Sequence, residues 1–352
     1  MKIAVLVSGG VDSSVALKLL KDQNYDITAF YIKIWLEDEL SSLGSCPWQE
    51  DLDYVTKVCE KLEVPLEVIS LQKEYWSEVV SYTIEEVKSG RTPNPDILCN
   101  TRVKFGAFYK YIDKGFDKIA TGHYAQVHKI DNEYYLSTSP DNIKDQTYFL
   151  ANLSKEQLSR AIFPIGHLKK EQVRELANKF DLPNKERKDS QGICFLGKIK
   201  FKEFIKFHVG KKIGNIIEFE TGIKLAQHEG FWFYTIGQRQ GIGLSGGPWY
   251  VVAKDIEKNI VYVSKNYHSI EKERNKFEVS NFNWLNQENP NTGLQVKIRH
   301  GEQKYNCSIE YINNTHAIVT LDKNDQGIAP GQFAVFYQNE KCLGSSVITK
   351  AL

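Results

Sequence analysis

The chain has 352 residues, 41% of them hydrophobic, which is enough to bury more than one core and predicts two or three domains. Its 45 basic and 44 acidic side chains give a net charge of +1, which excludes a histone-like protein. The apolar run at the start is too short for a secretory signal and no run approaches the roughly 18 residues of a membrane span, so we expect a cytoplasmic protein with no membrane partner.

Up to about Phe180, short apolar runs alternate with longer periodic ones, as they do in βαβ units. We predict strands at 3–7, 27–34, 66–69 and 118–121, and helices near 15–20, 52–62, 76–87 and 105–112. A small hairpin is predicted around Asp131 and Asn132. The fold class predicted for this part is α/β, a Rossmann-like, doubly wound parallel sheet with helices on both faces.

Past Pro183 the pattern changes to glycine-punctuated, aromatic and strand-like sequence. Candidate strands lie at 251–252, 260–263, 296–298, 317–321 and 333–337. We therefore predict a catalytic domain over 1–197, a small central β-rich domain over 198–268 and a C-terminal β-barrel over 269–352. Lysines alternate with phenylalanines from Lys198 to Phe207, which predicts an amphipathic helix whose basic face is either solvated or in contact with RNA phosphates.

The first predicted strand runs into the sequence SGGVDSS, from Ser8 to Ser14. Two glycines and a helix N-terminus suit a phosphate group, although a serine-capped helix after a glycine turn is the plain structural alternative. The patterns GxxxxGK[ST] and GxGxxG are missing, which argues against Walker-type phosphate transfer and against a dinucleotide site. Because Asp12 places a carboxylate among phosphates, we expect Mg²⁺ to neutralise the cluster there.

This heptapeptide resembles the PP-loop of the ATP pyrophosphatase group, whose members hold the β,γ-pyrophosphate of ATP and adenylate a carbonyl oxygen. The motif does not choose among members. Amide-forming synthetases, argininosuccinate synthase, tRNA lysidine synthetase and tRNA thiolases are all similar here.

Two of the six cysteines lie in loops that carry other reactive groups, and the absence of any CxxC argues against zinc or an iron–sulfur cluster. Cys99 ends the segment GRTPNPDILCN (90–100), and Cys194 lies in KDSQGICF (188–195). We expect a helix to start after the first segment and to lower the pKa of the Cys99 thiol, with Asp96 beside it as an acid or base. A buried structural cysteine is the alternative for that loop. Two reactive thiols and ATP together suggest sulfur transfer.

Eight segments in the same order resemble the bacterial tRNA-specific 2-thiouridylase family, MnmA, along essentially the whole chain. They are SGGVDSS, GRTPNPDILCN, TGHYA (121–125), KDQTYFL (144–150), FPIGHLKK (163–170), DSQGICF (189–195), YTIGQRQGIG (234–243) and APGQFAVFY (329–337). The resemblance implies conversion of the anticodon wobble uridine to 2-thiouridine, with ATP and with sulfur relayed from a cysteine desulfurase through a carrier protein. The target base would flip out of its stack.

The resemblance also implies roles by position. Cys194 would carry the persulfide, Cys99 would pair with it in a disulfide, and Asp96 is the candidate acid or base. Residues implied to line ATP are Leu6, Val7, Ser8, Gly9, Gly10, Val11, Asp12, Ser13, Ile32 and Gly122. Residues implied to touch tRNA are Asn94, Pro95, Asp96, His123, Lys144, Asp145, Gln146, Lys297, Ile298, Arg299 and Gln332.

Two other classes of protein explain parts of the sequence. An amide-forming PP-loop ligase acting on a small molecule would account for SGGVDSS and leave both cysteine loops unused. A non-catalytic sulfur carrier or RNA-binding protein would account for the thiols or the lysines and leave SGGVDSS unexplained. Of the four remaining thiols, Cys59, Cys307 and Cys342 lie in apolar runs and are expected to be structural, and Cys46 is assigned no role.

Overall fold

The computed structural model describes residues 1–34, 48–112, 115–189, 199–266, 274–286 and 293–352. Its first strands are β1 (Lys2–Leu6), β2 (Asp26–Lys33), β3 (Leu66–Ser70), β4 (Lys118–Ala120), β5 (Ala125–Ile130), β6 (Glu133–Thr138) and β7 (Ala161–Ile162). Five of them form a sheet in the order β3-β2-β1-β4-β7, and every pairing in it is parallel. The predicted parallel sheet is confirmed. Strand β7 was not predicted, because two residues carry no readable alternation.

Helices flank this sheet and differ in places from the regular helices that the periodicity predicts. They are α1 (Val11–Asp22), α2 (Trp48–Leu62), α3 (Gln72–Tyr75), α4 (Ser81–Lys88), α5 (Pro95–Leu98), α6 (Phe108–Tyr111), α7 (Thr147–Leu150), α8 (Lys155–Arg160) and α9 (Lys170–Lys179). Two π-helical segments, Trp76–Val80 and Cys99–Ala107, join α3 to α4 and α5 to α6. Such segments occur often at functional sites.

Strand β1 is buried on both of its faces. Ile3 and Val5 pack in one core with residues of α1 and α2, while Ala4 and Leu6 pack in a second core with residues of the α5–α6 region. This double burial explains why the strand is a continuous apolar run rather than an alternating one. It also places the segment after β1 at the carboxyl edge of a parallel sheet, where open α/β folds bind their ligands.

The predicted hairpin is present, and it lies in the sheet of the C-terminal strands rather than in the parallel sheet. Asp131 and Asn132 have φ values of 49° and 64°, the left-handed conformation that a tight hairpin turn requires. Strand β6 then pairs with a C-terminal strand through Leu136 and Ser137, which face Cys342 and Lys341. The hairpin therefore extends the C-terminal sheet and connects the first part of the chain to its last strand.

The central part holds α10 (Phe201–Val209) and the strands β8 (Gly214–Glu218), β9 (Lys224–His228), β10 (Tyr250–Asp255) and β11 (Ile260–Ser264), in the order β10-β11-β8-β9. Phe231, Trp249 and Val261 are among its core residues.

The C-terminal strands are β12 (Lys276–Trp284), β13 (Gln295–Lys297), β14 (Tyr305–Tyr311), β15 (His316–Leu321), β16 (Phe333–Gln338) and β17 (Lys341–Ala351). They run in the order β12-β15-β14-β13-β16-β17, and pairing of β12 with β17 closes the predicted barrel. Within the described residues, no helix has the length and apolar character to cross a membrane.

Candidate functional site

The segment from Ser8 to Ser14 turns directly from β1 into α1. Gly9 has a φ of +76°, and a Cβ there would lie 2.6 Å from the Asp51 carbonyl oxygen, so the position requires glycine. Gly10 is the N-cap of α1, and its carbonyl accepts hydrogen bonds of 3.0 Å from the hydroxyls of both Ser13 and Ser14. Because glycine has no capping side chain, the first-turn amides remain available to an anion.

Asp12, inside this loop, already has a positive partner supplied by the chain. Lys170, in the first turn of α9, donates to the two carboxylate oxygens of Asp12 at 2.7 and 2.9 Å, and Tyr124 donates to one of them at 2.8 Å. Lys170 also lies 2.7 Å from Asp189. In the structure Asp12 therefore has a positive partner and a hydrogen-bond donor from the chain itself, and the Mg²⁺ expected there together with phosphates stays a prediction.

Two further residues reach the loop from a distant segment of the chain. Asn184 donates to the Gly9 carbonyl oxygen at 2.8 Å and to the Ser14 hydroxyl at 2.9 Å, and it is almost fully buried. Arg187 donates to the same carbonyl at 3.0 Å and pairs with Asp51. The sequence analysis missed Lys170, Asn184 and Arg187. Each lies 158 or more residues from its partner in the loop, and no local pattern links positions so far apart.

The other residues expected at the nucleotide lie at the same edge of the sheet. Gly122 follows β4 and packs on the start of α1, where a Cβ would approach the Ser13 amide nitrogen to 2.7 Å. Ile32 lies near the end of β2, beside Ile69 of β3. The structure thus brings Leu6–Ser13 and Gly122 together. Ile32 lies on β2, which is the neighbour of β1 on the side away from β4. Their contacts with ATP stay a prediction.

The segment that carries Asp96 and Cys99 is helical earlier than expected. Helix α5 begins at Pro95, and Asn94 caps it by accepting a 3.4 Å hydrogen bond from the Ile97 amide. Proline at the first helical position loses no hydrogen bond, and asparagine is a favoured cap, which explains the earlier start. Cys99 is buried and lies in the second turn of the helical segment that begins at Pro95, rather than before a helix start as expected, and its reactivity stays a prediction.

Asp96 is half-buried beside two basic side chains. Burial raises the pKa of its carboxyl group, and the charges of Lys104 and His300 offset part of this effect. A raised pKa makes the carboxylate a stronger proton acceptor than a solvated aspartate. Nearby, burial with Lys104 close by holds the pKa of His123 well below its usual range, so its ring is neutral. The His123 Nδ1 atom lies 2.6 Å from the Thr121 hydroxyl.

The C-terminal barrel holds the segment before Asp96 through the turn that precedes β16. The Gln332 amide group donates to the carbonyl oxygens of Thr92 and Pro93 at 3.1 and 3.0 Å, and its oxygen accepts from Asn94 at 3.4 Å. The Thr92 amide donates to Pro330 at 2.7 Å. The side chain of Gln332, implied by resemblance as an RNA contact, is thus occupied in positioning this segment, and the RNA contact stays a prediction.

A cleft of about 650 Å³ opens beside this contact. Thr92 and Gln332 form one wall, Ile236 and Gly237 of the central part form another, and Arg299 of the barrel lines it as well. All three predicted domains therefore meet next to the candidate reactive segment.

Two of the residues implied to touch tRNA form a buried ion pair. Lys297 donates to Asp145 at 3.1 Å, and each side chain is only 3% exposed. Ile298 is buried beside them, whereas Arg299 is half-exposed and pairs with Asp325. An RNA contact by the side chain of Lys297 or Asp145 would require the pair to open, so that contact stays a prediction. In the structure the pair links the start of α7 to the barrel.

The remaining implied contacts lie near Tyr124. The oxygen of the Gln146 side chain accepts from the Tyr124 amide at 3.0 Å, and Lys144 donates to Asp189 at 2.8 Å. Burial would raise the pKa of Asp189, but hydrogen bonds from Lys144 and Lys170 outweigh it and lower the pKa to about 2.

Removal of the positive partner from the buried pair should destabilise the protein strongly. We expect Lys297→Met to lower the free energy of unfolding by about 3–5 kcal/mol, because it leaves Asp145 buried with an uncompensated charge. Urea denaturation measures this change. The exposed Lys276, on β12 of the same barrel, supplies the control Lys276→Met, which should cost less than about 1 kcal/mol. Equal losses for the two variants would show that the pair contributes nothing specific.

The cysteines differ in what the structure says of them. Cys194 lies in residues 190–198, which are outside the described residues. Cys59 and Cys342 are buried, as expected for structural thiols, and Cys307 is half-buried. Burial raises the pKa of Cys59 to about 11 and those of Cys307 and Cys342 to about 12, so none of the three is a ready thiolate near neutral pH.

Comparison with known proteins agrees along the whole chain. Residues 1–198 match the family model described as tRNA methyl transferase HUP domain, 202–265 match tRNA methyl transferase PRC-barrel domain, and 274–348 match aminomethyltransferase beta-barrel domain. A protein of Parabacteroides distasonis named tRNA-specific 2-thiouridylase MnmA is 46% identical over 355 residues, and the match covers 99% of each chain. A protein of the same name from Porphyromonas gingivalis is 45% identical over 361 residues, again covering 99% of each.

Among solved structures, the NMN synthetase from Francisella tularensis matches with a TM-score of 0.35 and 18% identity, over 60% of this chain and 77% of that one, which is too distant to argue from. The sequence matches are decisive by themselves. With two relatives of one name at 45–46% identity over nearly their entire length, the chain belongs to the tRNA-specific 2-thiouridylase family, MnmA.

Proposed function

We propose that this protein is an ATP-dependent tRNA sulfurtransferase that converts the wobble uridine of the anticodon to 2-thiouridine. A series of packing and electrostatic interactions supports the proposal, since it links the phosphate-binding loop to the segment that carries Asp96. Gly122 packs against Ser13 of the phosphate loop. Besides burial, the charge of Lys104 acts on the pKa of the neighbouring His123 and also on that of Asp96. These interactions support a common site for the nucleotide chemistry and the base chemistry.

The proposed reaction has three steps. Asp96 accepts the N3 proton of uridine while the base oxygen O2 attacks the α-phosphorus of ATP, and pyrophosphate leaves. The terminal sulfur of a persulfide on Cys194 then attacks C2, and AMP leaves. The Cys99 thiolate attacks the inner sulfur of Cys194, so that the sulfur–sulfur bond breaks and a Cys99–Cys194 disulfide forms. The 2-thiouridine anion that leaves takes the N3 proton back from Asp96. A thiol reductant restores the two cysteines.

Mg²⁺ would enter with the nucleotide. Among the described residues there is no group of three or more His, Cys, Asp or Glu side chains that could hold a metal ion by itself. This fits an ion that proteins commonly bind through one or two carboxylates together with substrate phosphates. Asp12 would be its protein ligand, and the ion would supply charge neutralisation at the phosphates.

The proposed partners follow from the same function. The sulfur would come from a carrier protein fed by a cysteine desulfurase, and the protein would act in the cytoplasm. The predicted amphipathic helix is present as α10, where Phe204 is buried while Lys202 and Lys206 are exposed. These lysines are available to RNA phosphates, which would support recognition of tRNA by shape. We keep the proposed domain division at 197 and 268.

A labelled-sulfur assay tests the function. Wild-type protein is incubated with unmodified tRNA, ATP, Mg²⁺ and a persulfide donor that carries heavy-isotope sulfur. We expect AMP, pyrophosphate and labelled 2-thiouridine in equal amounts, and no labelled RNA when ATP is left out. Before tRNA is added, mass spectrometry should find one extra sulfur on the peptide with Cys194, and none on the control peptide with Cys307.

Other products would point to other activities. Label that enters RNA equally well without ATP would contradict the activation step. The family models carry the words methyl transferase, so a methylated uridine formed from a methyl donor, without thiolation, would overturn the proposal in favour of that chemistry. AMP formed with a small amine or acid, independently of RNA, would favour the amide-forming ligase.

A further inference from the structure

A lysine stands at the phosphate loop although the loop sequence contains none. Lys170 comes from the start of α9, and its amine lies within 2.9 Å of both Asp12 carboxylate oxygens. The side chain is 15% exposed, so it is largely enclosed by its partners while part of it still reaches solvent. A Walker loop carries such a lysine within its own sequence and uses it on the terminal phosphates.

The partners of Lys170 are arranged so that it can leave them. It shares Asp189 with Lys144 at 2.8 Å and Arg174 at 2.7 Å. If the amine of Lys170 moves toward a phosphate, Asp189 therefore keeps two positive partners. Asp12 keeps the Tyr124 hydrogen bond of 2.8 Å and becomes available to a divalent cation. Asp189 thus remains paired with two cations after the move, while Asp12 retains one hydrogen bond.

We propose that Lys170 binds the pyrophosphate portion of ATP at the first turn of α1, in the role of the lysine that the loop lacks. The inference deepens the proposed function by adding a nucleotide-binding residue to the same site. The first-turn amides supply hydrogen bonds and partial positive charge, and Lys170 supplies the full charge that an anion with several negative charges requires. Arg187, which is committed to Asp51 and the Gly9 carbonyl, cannot take this role without giving up both partners.

The competing explanation is that Lys170 only balances Asp12, and a metal-free binding experiment separates the two. Calorimetry measures binding of inorganic pyrophosphate in EDTA, so that no metal bridges the anion to Asp12. We expect Lys170→Met to weaken binding by about 10-fold or more and Lys170→Arg to stay within about 3-fold of wild type. Lys179→Met, which removes an exposed lysine from the other end of the same helix, should leave binding unchanged.

The double variant Asp12→Asn/Lys170→Met decides the matter. If Lys170 merely balances Asp12, removing the acid as well restores pyrophosphate binding to the wild-type value, and the proposal is overturned. If Lys170 binds phosphate, the double variant stays clearly weaker than wild type, even though removal of the Asp12 charge relieves part of the repulsion of the anion. Unchanged binding by Lys170→Met alone also overturns it.

A measurement on the wild-type protein covers the case in which Lys170→Met does not fold. Lysine acetylation is followed by mass spectrometry with and without pyrophosphate. We expect pyrophosphate to protect Lys170 and to leave Lys179 unaffected, and increased acetylation of Lys170 would contradict the proposal. None of these readouts uses tRNA. A failed thiolation assay with normal pyrophosphate results would therefore count against the proposed function and leave this inference standing.

Discussion

Asp96→Asn is expected to lower single-turnover thiolation by about 10²- to 10⁴-fold, the range that loss of a positioned acid or base typically costs. The side chain keeps its size and loses its ability to accept a proton, so binding of ATP and tRNA should change little. Rapid-quench measurement of AMP and 2-thiouridine, together with filter binding of tRNA, separates the two effects. Asp131→Asn, in the hairpin turn, is the matched control because asparagine suits the left-handed conformation there.

The pH dependence of the same reaction has a definite sign. A base works only when it is deprotonated, so the wild-type rate should fall as the pH drops through the pKa of Asp96. Burial raises that pKa, and the acid limb should therefore lie above the value of about 3.9 found for a solvated aspartate. Asp96→Asn should lose this limb. A limb that persists unchanged in the variant would show that another group accepts the proton.

How far the sequence predicts the site depends on how local each signal is. The SGGVDSS loop could be read at once, because strand, glycine turn and helix N-terminus follow one another within a few residues. Lys170 and Gln332 could not be read in the same way, since their contacts at Asp12 and Thr92 join positions far apart in the chain. The register of a lysine or glutamine against a distant loop is set by tertiary packing, which no periodicity reports.

The fold was predictable to a similar limit. Strands β1 to β4, β10, β11, β13, β15 and β16 follow from alternating or continuous apolar runs, and the hairpin turn follows from Asp131 and Asn132, whereas β12 and β14 were not predicted. The partner of that hairpin did not follow, because only two residue pairs join β6 to β17. The helix start at Pro95 was also missed, although Asn94 followed by proline is a capping signal in the sequence itself.

Gly331→Ala is expected to lower kcat by about 100-fold, because it displaces the reactive segment rather than the nucleotide. Gly331 has a φ of +92°, and a Cβ there would lie 2.8 Å from the Thr92 carbonyl oxygen and 2.9 Å from the Arg91 Cβ. Backbone atoms and the Cβ atom attached to them cannot move aside at low energetic cost. The turn must therefore separate from the segment that ends in Asp96. A misplacement of about 1 Å in catalytic geometry can cost on the order of 100-fold in rate.

The barrel offers a control with the same backbone strain and no collision. Gly293 has a φ of +69°, and a Cβ there would meet nothing within 4 Å. Gly293→Ala should thus share the strain of about 1–3 kcal/mol for a side chain in this region and keep its kcat. Steady-state kinetics should show that Gly331→Ala retains the KM for ATP, since the phosphate loop is untouched. If both variants lose activity equally, or if KM for ATP rises with kcat unchanged, then the contact between the barrel and the Thr92 segment does not position the reacting groups.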